Sequence, residues 1–238
     1  DLLFNGYNWI IHLGANSSTV ERDVDSIMCT NYDFSCWLYD RCCEKGINLQ
    51  YASSASVYGM VSDFKEDSPV DPRNPYAWSK YLFERYVKKN PTDKIIVQGF
   101  RYFNVYGHHE GHKGGQASPV TQFRRQAEST GVIKLFHDSD KYLRDFICVE
   151  DVAWTHIQFL QRVTESGIWN VGTGKPVSFR YVADQIIMVT HANIEYIDMP
   201  EVLKGNYQAY TCADTTKLYE ADRKSTRLNS SHTDISRM

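Results

Sequence analysis

Several things are missing from this chain of 238 residues, and each absence excludes something. No apolar run approaches the roughly 20 residues that a bilayer-spanning helix needs. No basic block stands out against a net charge of −3, which argues against nucleic acid as a partner. Low-complexity tracts are missing too, and with 42% hydrophobic residues the chain can bury a core as one or two domains of a soluble globular protein. Cys-x-x-Cys pairs are absent. The six cysteines, Cys29, Cys36, Cys42, Cys43, Cys148 and Cys212, read as reduced, partly buried thiols in preference to disulfides, which favours the cytoplasm. His108 and His112 have the spacing of a helical metal pair, but Gly111 between them and the loop residues around them argue against a helix, and no metal is expected.

What is present centres on Asn74-Pro75-Tyr76-Ala77-Trp78-Ser79-Lys80. Asn74 suits an N-cap and Pro75 the first helical position, Tyr81, Leu82, Phe83, Tyr86 and Val87 supply an apolar stripe, and Asn90-Pro91 closes the helix. Tyr76 and Lys80 then share one face. A phenol of ordinary pKa about 10 is a poor base near neutrality, and an ammonium beside it favours the phenolate. With 16 Tyr and 13 Lys in the chain, about one Tyr-x-x-x-Lys arises by chance, so the pair needs support. Asn48 to Gly59 gives it: a strand runs into small hydroxyl residues and a glycine turn, with Ser54 at the carboxyl end, where open parallel sheets bind ligands.

Around this centre, Trp9 to Ala15 reads as a buried parallel strand leading into a loop, with Gly14 either a turn glycine or a point of close approach. Asp25 to Glu44 reads as a helix carrying Ile27, Phe34, Leu38 and Cys42 on apolar positions and stopped by Gly46. Ser68 to Pro72 is an extended connection, and Lys94 to Phe100 the next strand. This alternation predicts an α/β fold, a doubly wound parallel sheet with helices on both faces. Beyond Gly107 come a flexible loop, Glu110 to Gly115, a helix at Pro119 to Thr130, a short strand at Ile133 to Phe136, a strand entering an acidic helix start at Arg144 to Ala153, and a tight turn at Asn170 to Gly174. A smaller, mostly C-terminal lobe follows from that pattern.

With Arg101-Tyr102-Phe103-Asn104-Val105-Tyr106-Gly107 as a third ordered block, the chain resembles the extended short-chain dehydrogenase/reductase family, the NAD-dependent epimerases and dehydratases of nucleotide sugars, from roughly Trp9 to Thr216. The resemblance implies a Rossmann-like sheet and a catalytic set of Ser54, Tyr76 and Lys80. It places Leu13, Gly14, Ala15, Asn31 and Val105, with Tyr76 and Lys80, against a dinucleotide, Asn31 being otherwise a solvated helix residue. Dehydratases of the family have Asp-Glu directly after the catalytic hydroxyl, whereas Ala55-Ser56 stands here, so epimerisation fits better. His12-x-Gly14-Ala15, Tyr51 to Ala55, Glu110-Gly111-His112-Lys113-Gly114 and Lys204-Gly205-x-Tyr207-Gln208-Ala209 resemble the branch that epimerises ADP-glycero-manno-heptose. That branch implies oxidation of an ADP-heptose-type nucleotide sugar at C6 by bound NADP, with NAD also open, and return of hydride to the opposite face. Tyr76 and Lys113 would be the two acid/bases, with Lys80 and Ser54 orienting, although Lys113 also reads as a solvated loop lysine. Ser54, Asn104, Phe136, His137, Asp138, Ser139, Arg144 and Tyr207 would meet the substrate. Arg144 suits a diphosphate by its planar fork, with an Arg144–Asp145 ion pair as the alternative. Gly115 and Gln122 depart from the Ser and His of some relatives. Another nucleotide-sugar 4-epimerase or reductase, and a catalytically silent scaffold, are the competing readings.

The same resemblance divides the chain into a partial dinucleotide-binding domain at 1–107 and a mainly substrate-binding lobe at 108–221 with some return to the sheet. Residues 222–238 resemble a translated sequencing adapter and are set aside. A first strand and a Gly-x-x-Gly-x-x-Gly turn are expected upstream of Asp1, so that this stretch alone is expected to hold its dinucleotide weakly and not to turn over, and the full-length protein to be a homo-oligomer.

Overall fold

The computed structural model describes residues 4–162, 164–201 and 208–223. Strand β1 (Trp9–His12) leads into one long helical run in three parts: α1 (Val24–Ile27), a π-helical stretch Met28–Asp33, and α2 (Phe34–Lys45). The Asp23 carboxylate caps its start by accepting from Ser26 N at 3.0 Å, and Gly46 ends it at φ 69°, a left-handed conformation that glycine adopts freely. The expected helix is there, with a wider turn in its middle that hydrophobic spacing does not reveal.

Strand β2 (Asn48–Ser54) runs into a 3-10 turn, Ala55–Tyr58. Helix α3 (Pro75–Lys89) begins as read, with Asn74 Oδ1 accepting from Ala77 N at 2.8 Å and Pro75 in the first turn. Strand β3 (Val97–Tyr102) is displaced toward Tyr102 relative to the expected Lys94 to Phe100, because Ile96 N is taken by the Asn48 side chain at 2.8 Å ahead of the ladder. There follow β4 (Asn104–Tyr106), α4 (Pro119–Thr130), β5 (Val132–Phe136), β6 (Leu143–Arg144), β7 (Phe146–Cys148), α5 (Val149–Arg162), β8 (Gly167–Val171), β9 (Val177–Ser178), α6 (Phe179–Thr190), β10 (Asn193–Ile197) and α7 (Thr216–Arg223). Helix α7 reaches two residues into the stretch set aside as a tail.

The central sheet has the order β1-β2-β3-β8 and is parallel throughout. Alternation sends His12 and Tyr51 to one face, where His12 meets Ser35 of α2 and the Tyr51 ring packs edge-on against Phe83 of α3, centroids 4.8 Å apart. Gln50 and Phe100 face the other way, against His156 of α5. Helices on both faces make this the doubly wound α/β fold. Gly99 is required by that packing, since a Cβ there would lie 2.4 Å from Tyr51 Cζ.

After Tyr102 the chain leaves this sheet. Strand β4 pairs with β7 and β5 with β10, both parallel, while β6 and β9 pair antiparallel. Helices α4 and α6 close a second apolar cluster that includes Phe123, Ile133, Leu135, Phe146, Val182 and Ile186. The segment expected as a flexible loop is instead a 3-10 turn, Glu110–Gln116. Its cause is the buried Glu110 carboxylate, which accepts from Gly107 N, Ser118 N, Ser118 Oγ and Thr121 Oγ1 at 2.5 to 3.0 Å. All six cysteines are unpaired thiols. Among the described residues no helix is long and apolar enough to cross a membrane.

Candidate active site

Ser54 ends β2 and caps the turn behind it. Its Oγ accepts from Ser56 N at 3.2 Å and from Ser56 Oγ at 2.9 Å, which leaves its own proton to donate, and its hydroxyl acts to lower the proton affinity of the Tyr76 phenol. Tyr76 stands in the first turn of α3, and Lys80 one turn later is only 5% exposed, its Nζ donating to Ala52 O at 2.9 Å and lying 5.9 Å from the centre of the Tyr76 ring. The three expected groups therefore converge at the carboxyl end of β2.

Their electrostatics differ from expectation. Burial raises Tyr76 above its ordinary value, and the opposing influence is the Ser54 hydroxyl rather than Lys80. The ammonium is committed to a strand carbonyl, and burial pushes Lys80 itself down to about 8. A half-buried phenol with a serine hydroxyl near it, beside an amine whose proton affinity burial lowers, can exchange a proton with the hydroxyl of a carbinol held at the carboxyl end of β2.

A further support was not legible beforehand. Tyr102 sits opposite Ser54 in the β2–β3 register, and its hydroxyl meets His156 Nε2. His156 Nδ1 faces Gln50 Oε1 at 2.6 Å, while Gln50 Nε2 lies 2.8 Å from Gln98 Oε1 and 3.4 Å from the His156 carbonyl. A carbonyl only accepts, which orients the Gln50 amide and in turn puts the His156 proton on Nδ1. Burial holds His156 down to about 4, so it is neutral and Tyr102 donates to it.

Beyond β1 lies an open groove of about 840 Å³ lined by His12, Gly14, Ala15, Asn16, Phe34 and Trp37. A Cβ on Gly14 would meet no protein atom within 4 Å, so nothing in the fold itself demands glycine there; a Cβ would project into open space at the end of a parallel strand, where a dinucleotide backbone fits. Leu13 is exposed beside it. Asn31 is not the solvated helix residue of the alternative reading. It is buried, its Nδ2 donates to Asn16 O at 2.9 Å and to Ser79 Oγ at 3.1 Å, and its Oδ1 accepts from Asn16 N at 2.8 Å, so the amide ties the loop after β1 to α3. Val105 packs partly against the cluster of Phe100, Ile147 and Phe159. Among the described residues no three His, Cys, Asp or Glu side chains converge as a metal site.

Several of the expected substrate residues lie near the start of α6. Phe136 ends β5 and His137, Asp138 and Ser139 form the turn after it, with Asp138 at φ 62° and paired to Lys141 at 2.8 Å, and His137 stacked on Tyr196. Ser139 is buried and its carbonyl accepts from Arg180 N at 3.4 Å. Arg144 is 7% exposed, its guanidinium lies over Phe179, and it donates to Leu143 O at 2.9 Å and Gln208 O at 2.5 Å, so it also organises backbone. Asp145 gives its carboxylate to Thr173 N, Thr173 Oγ1, Gly174 N and Ala213 N. Asn104 N donates to Asp145 O at 2.9 Å, joining that group to β4. Lys113 is exposed on the 3-10 turn and makes no hydrogen bond or ion pair among the described residues. Gln122 donates to the carbonyls of Gly115 and Ala117. Tyr207 and the Lys204-Gly205 pair lie outside the described residues.

The sequence model of the NAD dependent epimerase/dehydratase family matches residues 2–172. This chain belongs to that family. Among solved structures, the ADP-L-glycero-D-manno-heptose-6-epimerase of Helicobacter pylori is similar with a TM-score of 0.82 at 28% identity, over 90% of this chain and 67% of that one. A UDP-N-acetylglucosamine 4-epimerase from Methanobrevibacter ruminantium M1 gives 0.82 at 23% identity, over 92% and 73%. The UDP-glucose 4-epimerase of Thermotoga maritima gives 0.79 at 24%, over 90% and 70%. The last two establish the fold. As a member of the NAD dependent epimerase/dehydratase family, the chain uses a nicotinamide cofactor, and the Gly14 groove fits one.

Proposed function

We propose that this chain carries the catalytic part of a nucleotide-sugar epimerase acting on ADP-glycero-manno-heptose at C6 with NADP. The observation that supports it most is the meeting of Ser54, Tyr76 and Lys80 beside the open groove at the end of β1. Leu13, Gly14, Ala15 and Lys80 would hold the dinucleotide, which supplies reversible two-electron oxidation of a carbinol carbon. Tyr76 and Lys113 would act from opposite faces, one taking the proton of the sugar hydroxyl as hydride leaves the carbon and the ketone forms, the other giving a proton as hydride returns and the alcohol is remade, while Ser54 would polarise the carbonyl oxygen. Lys113, exposed and without a hydrogen bond among the described residues, serves the opposite face. Residues 108–221 act mainly as the substrate lobe, in which Phe136 and the His137 to Ser139 turn meet the nucleotide sugar, together with Asn104 on β4, and Arg144 shapes the wall through the Leu143 and Gln208 carbonyls. Ala55-Ser56 after the catalytic hydroxyl favours epimerisation over dehydration. The choice of NADP over NAD follows the resemblance to heptose epimerases. Six unpaired thiols suit a cytoplasmic enzyme, and we expect it to work as a homo-oligomer.

The second reading, a UDP-sugar 4-epimerase, is favoured by the equal TM-score of the Methanobrevibacter enzyme. The test uses the protein with any residues that naturally flank this chain. ADP-heptose, UDP-glucose and UDP-N-acetylglucosamine are each incubated with NADP and with NAD, and inversion is followed by proton NMR. Inversion of ADP-heptose at C6 is expected, with Tyr76→Phe losing about 100-fold or more in turnover while nucleotide-sugar binding is kept. Inversion of a UDP sugar at C4 selects the second reading. Turnover by Tyr76→Phe within a few-fold of the parent refutes the site.

A further inference from the structure

Behind Lys80 lies a buried ion pair that the reaction outlined above does not use. Glu84, one turn further along α3, and Arg101, on β3, are each 4% exposed. Arg101 donates from Nη2 to Glu84 Oε2 at 2.7 Å and from Nε to Glu84 Oε1 at 3.0 Å, a two-point fork, and the same Oε1 accepts from Ser53 Oγ at 2.5 Å. The remaining side of the guanidinium donates to Glu66 O at 3.2 Å and covers the Tyr58 ring. Ser53 precedes Ser54 and Arg101 precedes Tyr102, so the pair clamps α3 onto β2 and β3 directly beneath the candidate catalytic groups.

We propose that Glu84 and Arg101 are positioning residues for Lys80: the carboxylate supports the buried ammonium one turn away, and the guanidinium both fixes that carboxylate and limits its pull. Around Lys80, Glu84 and, through that carboxylate, Arg101 are the groups charged near neutrality. From β1, His12 is held neutral, down to about 4, first by burial and then by Lys80 itself. From α3 and β3, burial raises Tyr76 and Tyr102, and from β2 it raises Tyr51. Burial works against the Lys80 charge and Glu84 opposes it. The spacing of Glu84 four residues after Lys80 was visible in the sequence, but its partner on β3 was not. This inference deepens the role proposed for Lys80 and rests on it for any catalytic consequence, though not for its test.

The test labels lysine with carbon-13 at Cε in the whole chain and follows Lys80, assigned with Lys80→Arg, by NMR from about pH 6 to 11. The parent is expected to titrate at about 8, below the ordinary lysine value. Glu84→Gln keeps the shape and removes the charge, and its midpoint falls by about one unit; Arg101→Met leaves the carboxylate uncompensated, and its midpoint rises by a similar amount. Loosened packing would instead hydrate Lys80 and carry both variants toward the ordinary lysine value. If Arg101→Met does not fold, Glu84→Gln decides alone: a fall supports the proposal, and an unchanged or raised midpoint overturns it. No turnover is needed, so failure here leaves the Tyr76→Phe result intact, and an inactive site leaves the titration readable.

Discussion

The two sides of the proposed site are held in different ways. Ser54, Tyr76, Lys80 and the groups behind them are packed between β2, β3 and the helices, with partners for their polar atoms. Lys113, His137 and Asp138 stand exposed on turns, fixed by backbone conformation and a neighbour or two. Burial is what moves a proton affinity, as it does for Tyr76 and Lys80. Exposure leaves a side chain free to meet a soluble ligand. A single active site can need both, and here they come from different parts of the chain.

This contrast can be broken most severely at Gly59, which closes the turn behind Ser54 at φ 59° with its Cα against Asp71. A Cβ there would lie 1.7 Å from Asp71 O. Gly59→Ala is expected to cost at least about 3 kcal/mol, read as a lowered urea midpoint, and an unchanged midpoint would show that the buried side is not tightly held.

Acid sharpens the same contrast. His12 and His156 are buried and held near 4, against an ordinary value of 6.5. As pH falls below 6.5 the unfolded chain takes up these protons while the folded chain resists them down to about 4, so stability is full above 6.5 and declines through that window. The loss is up to roughly 3 kcal/mol per histidine. Urea melts at pH 7 and 4.5 measure it, and His156→Gln should flatten the slope. The smallest effect on stability is expected on the exposed side: Lys113→Met should leave stability within about 0.5 kcal/mol while epimerisation drops strongly. Normal epimerisation by that variant would make Lys113 a surface charge.

Much of the frame was legible because its signals are local. Asn74-Pro75 starts α3, Gly46 stops α2, and Pro119 opens a helix that ends at Thr130 as expected. The order of strands and helices gave the parallel sheet. What escaped depends on partners far away in sequence. Nothing near Glu110 announces that its carboxylate will organise Gly107, Ser118 and Thr121, and nothing near Arg144 announces that Gln208 O will occupy its fork. The electrostatics of Tyr76 were misjudged for the same reason: spacing put a cation nearby, but only the fold shows that the cation faces Ala52 O and that burial outweighs it.

The π-helical stretch Met28–Asp33 has a consequence for how this segment tolerates changes in length. A π turn behaves as one residue inserted into an α-helix. Removing a residue between Cys29 and Tyr32 would let α1 and α2 fuse into a regular helix with nearly the same phase at its two ends, because each residue of a π turn advances by less than the roughly 100° of an α-helix and the wider turn absorbs the surplus one. Ser35, which receives His12 Nε2–H because its own proton goes to Asn31 O, would keep its place on the sheet, whereas the loop after β1 would lose its tie to Asn31. The surplus residue serves the bulge itself, so a deletion here should spare the packing of α2 and cost the loop.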